Sequence, residues 1–350
     1  MRRPAGPQLR LRHLSGLWLG ALRVTSLPVL EQEQLSLAVE SGWRTLDARA
    51  RGTRFLELPV ASALNSPAAT GMSFWSLNPY IGCEFGCTYC YARDTHRYAV
   101  ERALDAHRLG SADAADFRSL EDWDAFERRI LVKSGLEQAL VRTLDPSRLN
   151  GAMLLIGTST DPYQPAERRF GRTRAVLERL LGWRGLRIGI TTKSPLILRD
   201  LPLLRRLAER HEISVSVSLA TLDARIARRL ELRSPVPSAR IRALARLRAA
   251  GIDAGLMIAP VVPAITDSRQ ALDALIGAAK AAGARWVVGS ALRLGPAARR
   301  RFLPYLEREF PELAERYRRA YSRRNSAGRA YIDALHRRLR AVKRRHGFER

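Results

Sequence analysis

The sequence is poor in cysteine and lysine, and it lacks long apolar runs. Its 350 residues include three cysteines, an odd number that cannot form a closed set of disulfide bonds. No segment approaches the roughly 18 uninterrupted apolar residues of a membrane-spanning helix, so we expect no membrane partner. A short apolar patch near the N-terminus ends at Arg23, and no small-residue cleavage site follows it. These absences favour a cytoplasmic protein.

Lysine is scarce in a chain that is otherwise strongly basic. Only four of the 60 basic residues are lysines, and with 34 acidic residues the net charge is +26. Residues 291–350 hold 18 basic and 6 acidic residues, so the charge is concentrated at the C-terminal end. Arginine binds phosphate groups in a bidentate manner, and nucleic acid is one partner that would suit this charge. A general bias toward arginine on solvated helix faces explains it equally, and both interpretations stay open.

Short β-type runs alternate with helical patterns through most of the chain. The runs are 73–81, 152–160, 186–192, 213–220, 255–262 and 285–294. The intervening segments with apolar residues at helical spacing are 117–144, 172–182, 200–210, 222–250 and 268–282. This alternation predicts an α/β protein of six β/α units with a parallel sheet. A doubly wound sheet and a barrel both satisfy the pattern.

Polar and proline residues follow most of these runs, at the sheet edge where parallel α/β folds bind their ligands. The candidates for a site at this edge are Asp161, Tyr163, Gln164, Glu167, Lys193, Ser194, Ser218, Thr221, Pro260 and Pro263. The first run is followed instead by the cysteines.

All the cysteines lie on one loop, as Cys83, Cys87 and Cys90. A structural zinc ion takes four protein ligands, and the nearest fourth candidate is His96. Three unliganded thiols are a second alternative. A cubane iron–sulfur cluster bound by three cysteines would leave one iron open for chemistry, whereas electron-transfer clusters usually have four cysteines.

The loop, C-x3-C-x2-C with Tyr89 before the last cysteine, resembles the motif of radical S-adenosylmethionine enzymes. Four later segments are similar, in order, to those of the subfamily named after spore photoproduct lyase: "TDPYQPAE" (160–167), "TTKSPLILRD" (191–200), "VSLATLD" (217–223) and "IAPVVPAITD" (258–267). Within that subfamily the chain most resembles uncharacterised actinobacterial-type members. The resemblance covers about residues 60–295 and implies a partial (β/α)6 TIM-like barrel (73–295). From the residues themselves we expect an N-terminal extension (1–72) before it and a basic helical C-terminal segment (296–350) after it.

The resemblance also implies a cofactor chemistry. Cys83, Cys87 and Cys90 would hold a [4Fe–4S] cluster, and S-adenosyl-L-methionine would chelate its open iron. A reductant such as flavodoxin or ferredoxin would supply one electron. The cofactor would then be cleaved to a 5′-deoxyadenosyl radical, which takes hydrogen from a substrate.

Further residues acquire roles through the same resemblance. Lys193 would meet the carboxylate of S-adenosyl-L-methionine, and Ser218 would lie near its methionine moiety. Ser216 has the same facing as Ser218 in an extended strand and is the alternative to it. The full set of predicted cofactor-binding residues is Tyr89, Asp161, Glu167, Lys193 and Ser218.

One segment departs from spore photoproduct lyase, which has a further cysteine as hydrogen donor. The corresponding segment here is "GTSTD" (157–161), and no cysteine lies outside the loop. This difference argues against thymine-dimer repair by the same mechanism. It makes Tyr163 our candidate for the hydrogen donor.

Two classes of function follow from the sequence. The first is a radical S-adenosylmethionine enzyme with an unknown substrate, for which nucleic acid is the candidate. The second is a zinc- or cluster-containing nucleic-acid-binding protein without catalysis. The C-terminal aromatics suit either contact with nucleic acid or packing of amphipathic helices on the barrel, and we favour packing. They are Phe302, Tyr305, Phe310, Tyr317, Tyr321 and Tyr331.

Overall fold

A computed structural model describes residues 44–49, 52–105, 115–117 and 122–348 of the chain. Residues 1–43 of the predicted N-terminal extension lie outside these ranges. The strands, numbered in chain order, are β1 (Thr45–Ala48), β2 (Arg54–Pro59), β3 (Trp75–Leu77), β4 (Tyr80–Ile81), β5 (Arg129–Ser134), β6 (Leu154–Ile156), β7 (Arg187–Thr192), β8 (Glu212–Ser218), β9 (Asp253–Val261) and β10 (Val287–Ala291).

The main sheet has six strands in the order β10-β9-β8-β7-β6-β3. Every neighbouring pair in it is parallel. β3 and β10 are its edges, so the described strands form an open sheet, not a closed barrel. All the β-type runs of the sequence contribute a strand to this sheet, and the predicted α/β fold with a partial barrel is confirmed.

Helices connect the strands and cover the sheet. Their bounds are Pro67–Thr70, Arg93–Asp105, Asp122–Arg128, Leu136–Thr143, Pro146–Leu149, Glu167–Phe170, Arg172–Leu180, Leu201–Ala208, Ala224–Leu230, Pro237–Ala249, Arg269–Ala281, Pro296–Glu309, Pro311–Tyr321 and Arg329–Arg345, with a 3₁₀ helix at Pro195–Asp200. The helix Leu201–Ala208 buries Leu203, Leu204 and Leu207, which is the helical spacing of an amphipathic crossover.

A second sheet, which the sequence did not predict, has the order β1-β2-β5-β4. The helix predicted for 117–144 is wrong over its middle, because Arg129–Ser134 forms β5 between two helices. Ile130 and Val132 belong to one apolar cluster and Leu131 to another. A strand buried on both faces gives an uninterrupted apolar run, which periodicity does not distinguish from a helix.

The helix predicted for 222–250 is also wrong in part, since it is two helices separated at residues 231–236. Pro237 begins the second helix, and a proline is well accommodated at a first helical position but not inside a helix. The break has a functional consequence, because Glu231 follows the first helix directly and lies in the site described below.

The C-terminal helices share a core with the cysteine loop. Phe302, Tyr317 and Tyr321 are buried in one cluster with Cys83 and Cys87. The predicted packing of these aromatics is therefore confirmed, and Tyr305 and Phe310 are buried too. None of the helices in the described part of the chain has both the length and the apolarity that crossing a membrane needs.

Candidate active site

The cysteine loop leaves the end of β4 and wraps tightly through two glycines. Gly82 has a φ of +88° and Gly86 a φ of +64°, a region that glycine adopts without strain. A Cβ on Gly82 would lie 2.8 Å from the backbone oxygen of Phe126. The loop is anchored beside this contact, because the Cys83 amide donates to the same oxygen at 3.0 Å.

The remaining loop backbone is fixed by residues distant in sequence. Both the amide and the hydroxyl of Thr88 donate to the backbone oxygen of Leu230, at 2.9 and 3.0 Å. The Arg93 guanidinium donates to the Cys87 oxygen at 2.6 Å. These bonds hold the loop so that Cys83 and Cys87 are buried and Cys90 is partly exposed, all as free thiols.

The thiols form an electrostatically coupled group. Burial raises the pKa of Cys83 well above its ordinary value, and the charges of Asp161, Cys87 and Cys90 raise it further. Burial also raises the pKa of Cys87 to about 11, against the lowering effect of the nearby Lys193 ammonium. Three thiolates at these positions repel one another, so a bound group must bring positive charge. Iron–sulfur clusters, which cysteine thiolates ligate, fit that requirement.

His96 does not behave as a fourth ligand. Its Nε2 lies 2.8 Å from the backbone oxygen of Arg129, and its ring contacts those of Phe117 and Phe126. The zinc site considered from the sequence therefore gains no support.

A buried carboxylate, Glu231, joins several predicted site residues. It accepts a hydrogen bond from the Tyr89 hydroxyl and pairs with the Arg240 guanidinium. The Lys193 ammonium is 3.9 Å from its Oε1 and 5.9 Å from the centre of the Tyr89 ring. Arg240 also donates to the backbone oxygen of Ser218 at 3.1 Å. The structure thus brings Tyr89, Lys193 and Ser218 together around Glu231 and Arg240.

Lys193 keeps its charge in this environment. Burial disfavours its ammonium form, but Cys87 and Glu231 outweigh that effect, and its pKa is raised above the ordinary value. Burial likewise opposes the charged form of Glu231, yet Arg240 and Lys193 lower its pKa.

We did not identify Glu231 or Arg240 from the sequence. The available signal was an arginine at a buried position of the helix Pro237–Ala249, which requires a partner.

Asp161 fixes the backbone beneath Lys193. Its Oδ1 accepts from the Thr192 hydroxyl at 2.7 Å and the Tyr163 amide at 2.9 Å, and its Oδ2 accepts from the Lys193 amide at 2.7 Å. It therefore joins the end of β6 to the end of β7. Both carboxylate oxygens are thus engaged by the protein. The predicted contact of Asp161 with the cofactor stays a prediction.

Glu167 lies in a separate polar group. It is fully buried and accepts hydrogen bonds from the Tyr80 hydroxyl, the Thr173 amide and the Arg174 amide, and Arg199 pairs with it at 2.9 Å. No described residue hydrogen-bonds to the side chains of both Glu167 and Glu231. The Glu167 carboxylate accepts hydrogen bonds from two amides in the first turn of the helix Arg172–Leu180, a position in which a carboxylate stabilises a helix N-terminus.

Tyr163, our candidate hydrogen donor, is fully buried. Among the described residues, the Asp200 carboxylate is close enough to its hydroxyl to affect its pKa, although the two groups do not reach the geometry of a good hydrogen bond. Burial raises its pKa well above the ordinary value, and the charge of Asp200 adds to this effect. The side chain also lines a cavity beside the cysteine loop.

Comparison with known proteins settles the family. The profile of the Radical SAM superfamily matches residues 77–275. The chain belongs to the radical SAM superfamily. An uncharacterised protein of Mycobacterium tuberculosis is 36% identical over 82% of this chain and 79% of its own length. An uncharacterised protein of Methanocaldococcus jannaschii is 27% identical over 68% of this chain and 77% of its own length.

Solved structures of spore photoproduct lyase have the same fold. The enzyme complexed with dinucleoside spore photoproduct matches with a TM-score of 0.57 and 12% identity, over 84% of this chain and 79% of that one. A variant with bound AdoMet and the same dinucleoside has a TM-score of 0.55 and 14% identity, over 78% and 74%. The predicted membership of the radical SAM superfamily is confirmed. The likeness to spore photoproduct lyase is shown for the fold. This radical SAM protein is an enzyme, so the alternative without catalysis is not retained.

Proposed function

We propose that this radical SAM enzyme holds a [4Fe–4S] cluster on Cys83, Cys87 and Cys90 and binds S-adenosyl-L-methionine beside it. The observation that carries the proposal is the meeting of the cysteine loop with Lys193 around Glu231. Cys87 and Lys193 are close enough to shift each other's pKa. When bound, the cluster supplies one electron that cleaves S-adenosyl-L-methionine to a 5′-deoxyadenosyl radical.

The residues around Glu231 provide the cofactor contacts. Lys193 is charged, and its separation of 3.9 Å from Glu231 Oε1 is too long for a strong hydrogen bond. Its ammonium is therefore available to a carboxylate such as that of S-adenosyl-L-methionine, and a charge-assisted bond of this kind is strong. Glu231, held by Arg240, keeps Lys193 protonated, while Asp161 holds its backbone.

We further propose that the substrate is a nucleic acid. The net charge of +26 suits a phosphate backbone. The solved structures that share this fold include spore photoproduct lyase with its dinucleoside. Tyr163 remains our prediction for the hydrogen donor, since the only cysteines are those of the loop.

The direct test is formation of 5′-deoxyadenosine. The chain would be reconstituted anaerobically with iron and sulfide, reduced with dithionite, and given S-adenosyl-L-methionine with and without DNA or RNA oligonucleotides. We expect 5′-deoxyadenosine from the parent chain and none from Cys90→Ala. We expect a faster rate with the oligonucleotide that is the substrate. A rate that no oligonucleotide alters would refute the nucleic-acid proposal and leave the cofactor chemistry intact.

In the same assay Tyr163→Phe separates the hydrogen donor from cofactor cleavage. We expect this variant to form 5′-deoxyadenosine but to lose the substrate-derived product. Retention of that product would remove Tyr163 from the mechanism.

A further inference from the structure

Three arginines surround one buried carboxylate, that of Glu127, beside the cysteine loop. Glu127 lies in the helix Asp122–Arg128, and only 2% of its side chain is exposed. Its Oε1 accepts a hydrogen bond from Arg93 at 2.7 Å and lies 4.0 Å from Nε of Arg301. Its Oε2 pairs with the guanidinium of Arg233. We refer to Glu127, Arg93, Arg233 and Arg301 as the Glu127 network.

Arg233 also bonds directly to the backbone of the cysteine loop. Its Nε donates to the Glu84 oxygen at 2.6 Å, and its amide donates to the Phe85 oxygen at 2.9 Å. The fit is close, since a Cβ on Gly86 would lie 2.6 Å from the Arg233 guanidinium. The charge of Arg233 is therefore fixed against the segment that joins the first two cysteines of the loop.

Arg93 is the second member of the network that bonds to the loop. Its guanidinium donates to the Cys87 oxygen at 2.6 Å while it pairs with Glu127. Arg93 is fully buried, whereas 44% of the Arg233 side chain is exposed. Arg233 can therefore be replaced with much less disturbance of the core than Arg93.

We propose that Arg233 raises the reduction potential of the iron–sulfur cluster on the cysteines. The inference rests on the proposed function and concerns how the same site accepts its electron. An electron added to a cluster held by three thiolates increases its negative charge, and positive charge fixed nearby favours that reduced form. The charge around a cluster is one of the factors that set its potential. Arg233 is thus a positioning residue, which acts on the cluster through the loop.

The network separates an effect of charge from an effect of packing, because its members carry opposite charges. Replacing Arg233 removes positive charge from the network, and replacing Glu127 removes negative charge from the same place. If charge controls the potential, the two replacements shift it in opposite directions. A general loosening of the loop does not depend on the sign of the charge that is removed.

The test is a potentiometric titration of the anaerobically reconstituted full-length chain, followed by electron paramagnetic resonance without S-adenosyl-L-methionine. The variants are Arg233→Met, Arg233→Lys, Glu127→Gln and Arg340→Met, and iron content is measured in each sample. Arg340 is an exposed arginine on the C-terminal helix, so its replacement makes the same charge change away from the loop.

We expect Arg233→Met to shift the reduction equilibrium about three- to tenfold toward the oxidised cluster. A tenfold shift is about 59 mV for a one-electron couple. Arg233→Lys keeps the charge but loses the planar fork of the guanidinium, and we expect it to retain most of the parent potential. Arg340→Met should change the potential little, because salt screens distant exposed charges. Glu127→Gln should shift the equilibrium toward the reduced cluster.

Three results would overturn the proposal. They are an unchanged potential in Arg233→Met, a shift equal to that of Arg340→Met, and shifts of the same sign in Arg233→Met and Glu127→Gln. Loss of iron binding in Arg233→Met that Arg233→Lys does not restore would also overturn it, because Arg233 would then only hold the loop in shape. Absence of a cluster signal in the parent chain would refute the proposed function and this inference with it. A normal parent signal with any of the other results refutes the inference alone.

Discussion

At the residue scale, the chemistry of the site depends on how buried charges are balanced. Glu231 and Arg240 are both almost completely buried, and Lys193 and Cys87 add two further titratable groups. A buried ion pair is costly to break, because the remaining partner keeps its desolvation penalty. Glu231 therefore has two effects: its charge raises the pKa of Lys193 against the lowering effect of Arg240, and its hydrogen bond from the Tyr89 hydroxyl supports the structure of the loop.

The Glu231–Arg240 pair gives the first prediction. Glu231→Gln leaves the buried Arg240 without its carboxylate, and we expect the free energy of unfolding to fall by about 3 to 5 kcal/mol. Glu307→Gln is the control, since Glu307 pairs with Arg318 on the surface, where such pairs contribute less than about 1 kcal/mol. Urea unfolding followed by circular dichroism measures both. Equal decreases in the free energy of unfolding of the two variants would show that the buried Glu231–Arg240 pair contributes no more than a surface pair.

Lys193 gives the second prediction. Lys193→Met removes the cation that we assign to the carboxylate of S-adenosyl-L-methionine, and we expect affinity for the cofactor to drop about 10- to 100-fold. Lys280→Met is the matched control, because Lys280 packs over Phe348 on a different part of the surface. Equilibrium binding of S-adenosyl-L-methionine to the two reconstituted variants measures the difference. An unchanged affinity for Lys193→Met would remove Lys193 from the cofactor site.

At the element scale, the second sheet and the C-terminal helices hold the cysteine loop from two sides. β4 leads into the loop and pairs with β5. On the other side the helix Pro296–Glu309 packs its aromatics against the loop, and the Ala297 amide donates to the Asp94 carboxylate at 3.0 Å. The loop is therefore fixed by elements that lie outside the main parallel sheet.

β5 contains a buried lysine, which gives a pH-dependent prediction. Burial lowers the pKa of Lys133 to about 8, below an unfolded value of about 10.4. The folded chain binds fewer protons between these values, so the free energy of unfolding rises as the pH increases through this window. We expect Lys133→Met to raise that free energy at pH 7 by about 1 to 3 kcal/mol and to flatten the rise. Urea unfolding at pH 7 and pH 10 tests this, and a destabilised variant at pH 7 would contradict it.

The C-terminal segment gives a prediction about packing. Phe302 is fully buried in the cluster that contains Cys83 and Cys87, so we expect Phe302→Ala to lower the free energy of unfolding by about 3 to 5 kcal/mol. Iron retention after reconstitution should fall as well. Tyr98→Ala is the control at an exposed aromatic, with an expected change within about 0.5 kcal/mol. Full iron retention in Phe302→Ala would show that the segment does not support the loop.

At the scale of the whole molecule, the six parallel strands and the cysteine loop could be predicted, because both are local patterns. β5 could not, since a strand buried on both faces has the same apolar run as a helix. Glu231 and Arg240 were missed because their pairing depends on the relative orientation of the helices Ala224–Leu230 and Pro237–Ala249, which are separated at Pro235 and Pro237. Ser218 was identified, but its contact with Arg240 is through the backbone oxygen, which no side-chain pattern reveals.

The central claim is that three cysteines of this radical SAM enzyme hold a cluster with one open iron. The most direct measurement is an electron paramagnetic resonance spectrum of the anaerobically reconstituted, reduced protein, with and without S-adenosyl-L-methionine. We predict a reduced [4Fe–4S] signal whose shape changes when S-adenosyl-L-methionine is added. A cluster signal indifferent to S-adenosyl-L-methionine, or zinc in place of iron, would contradict the account.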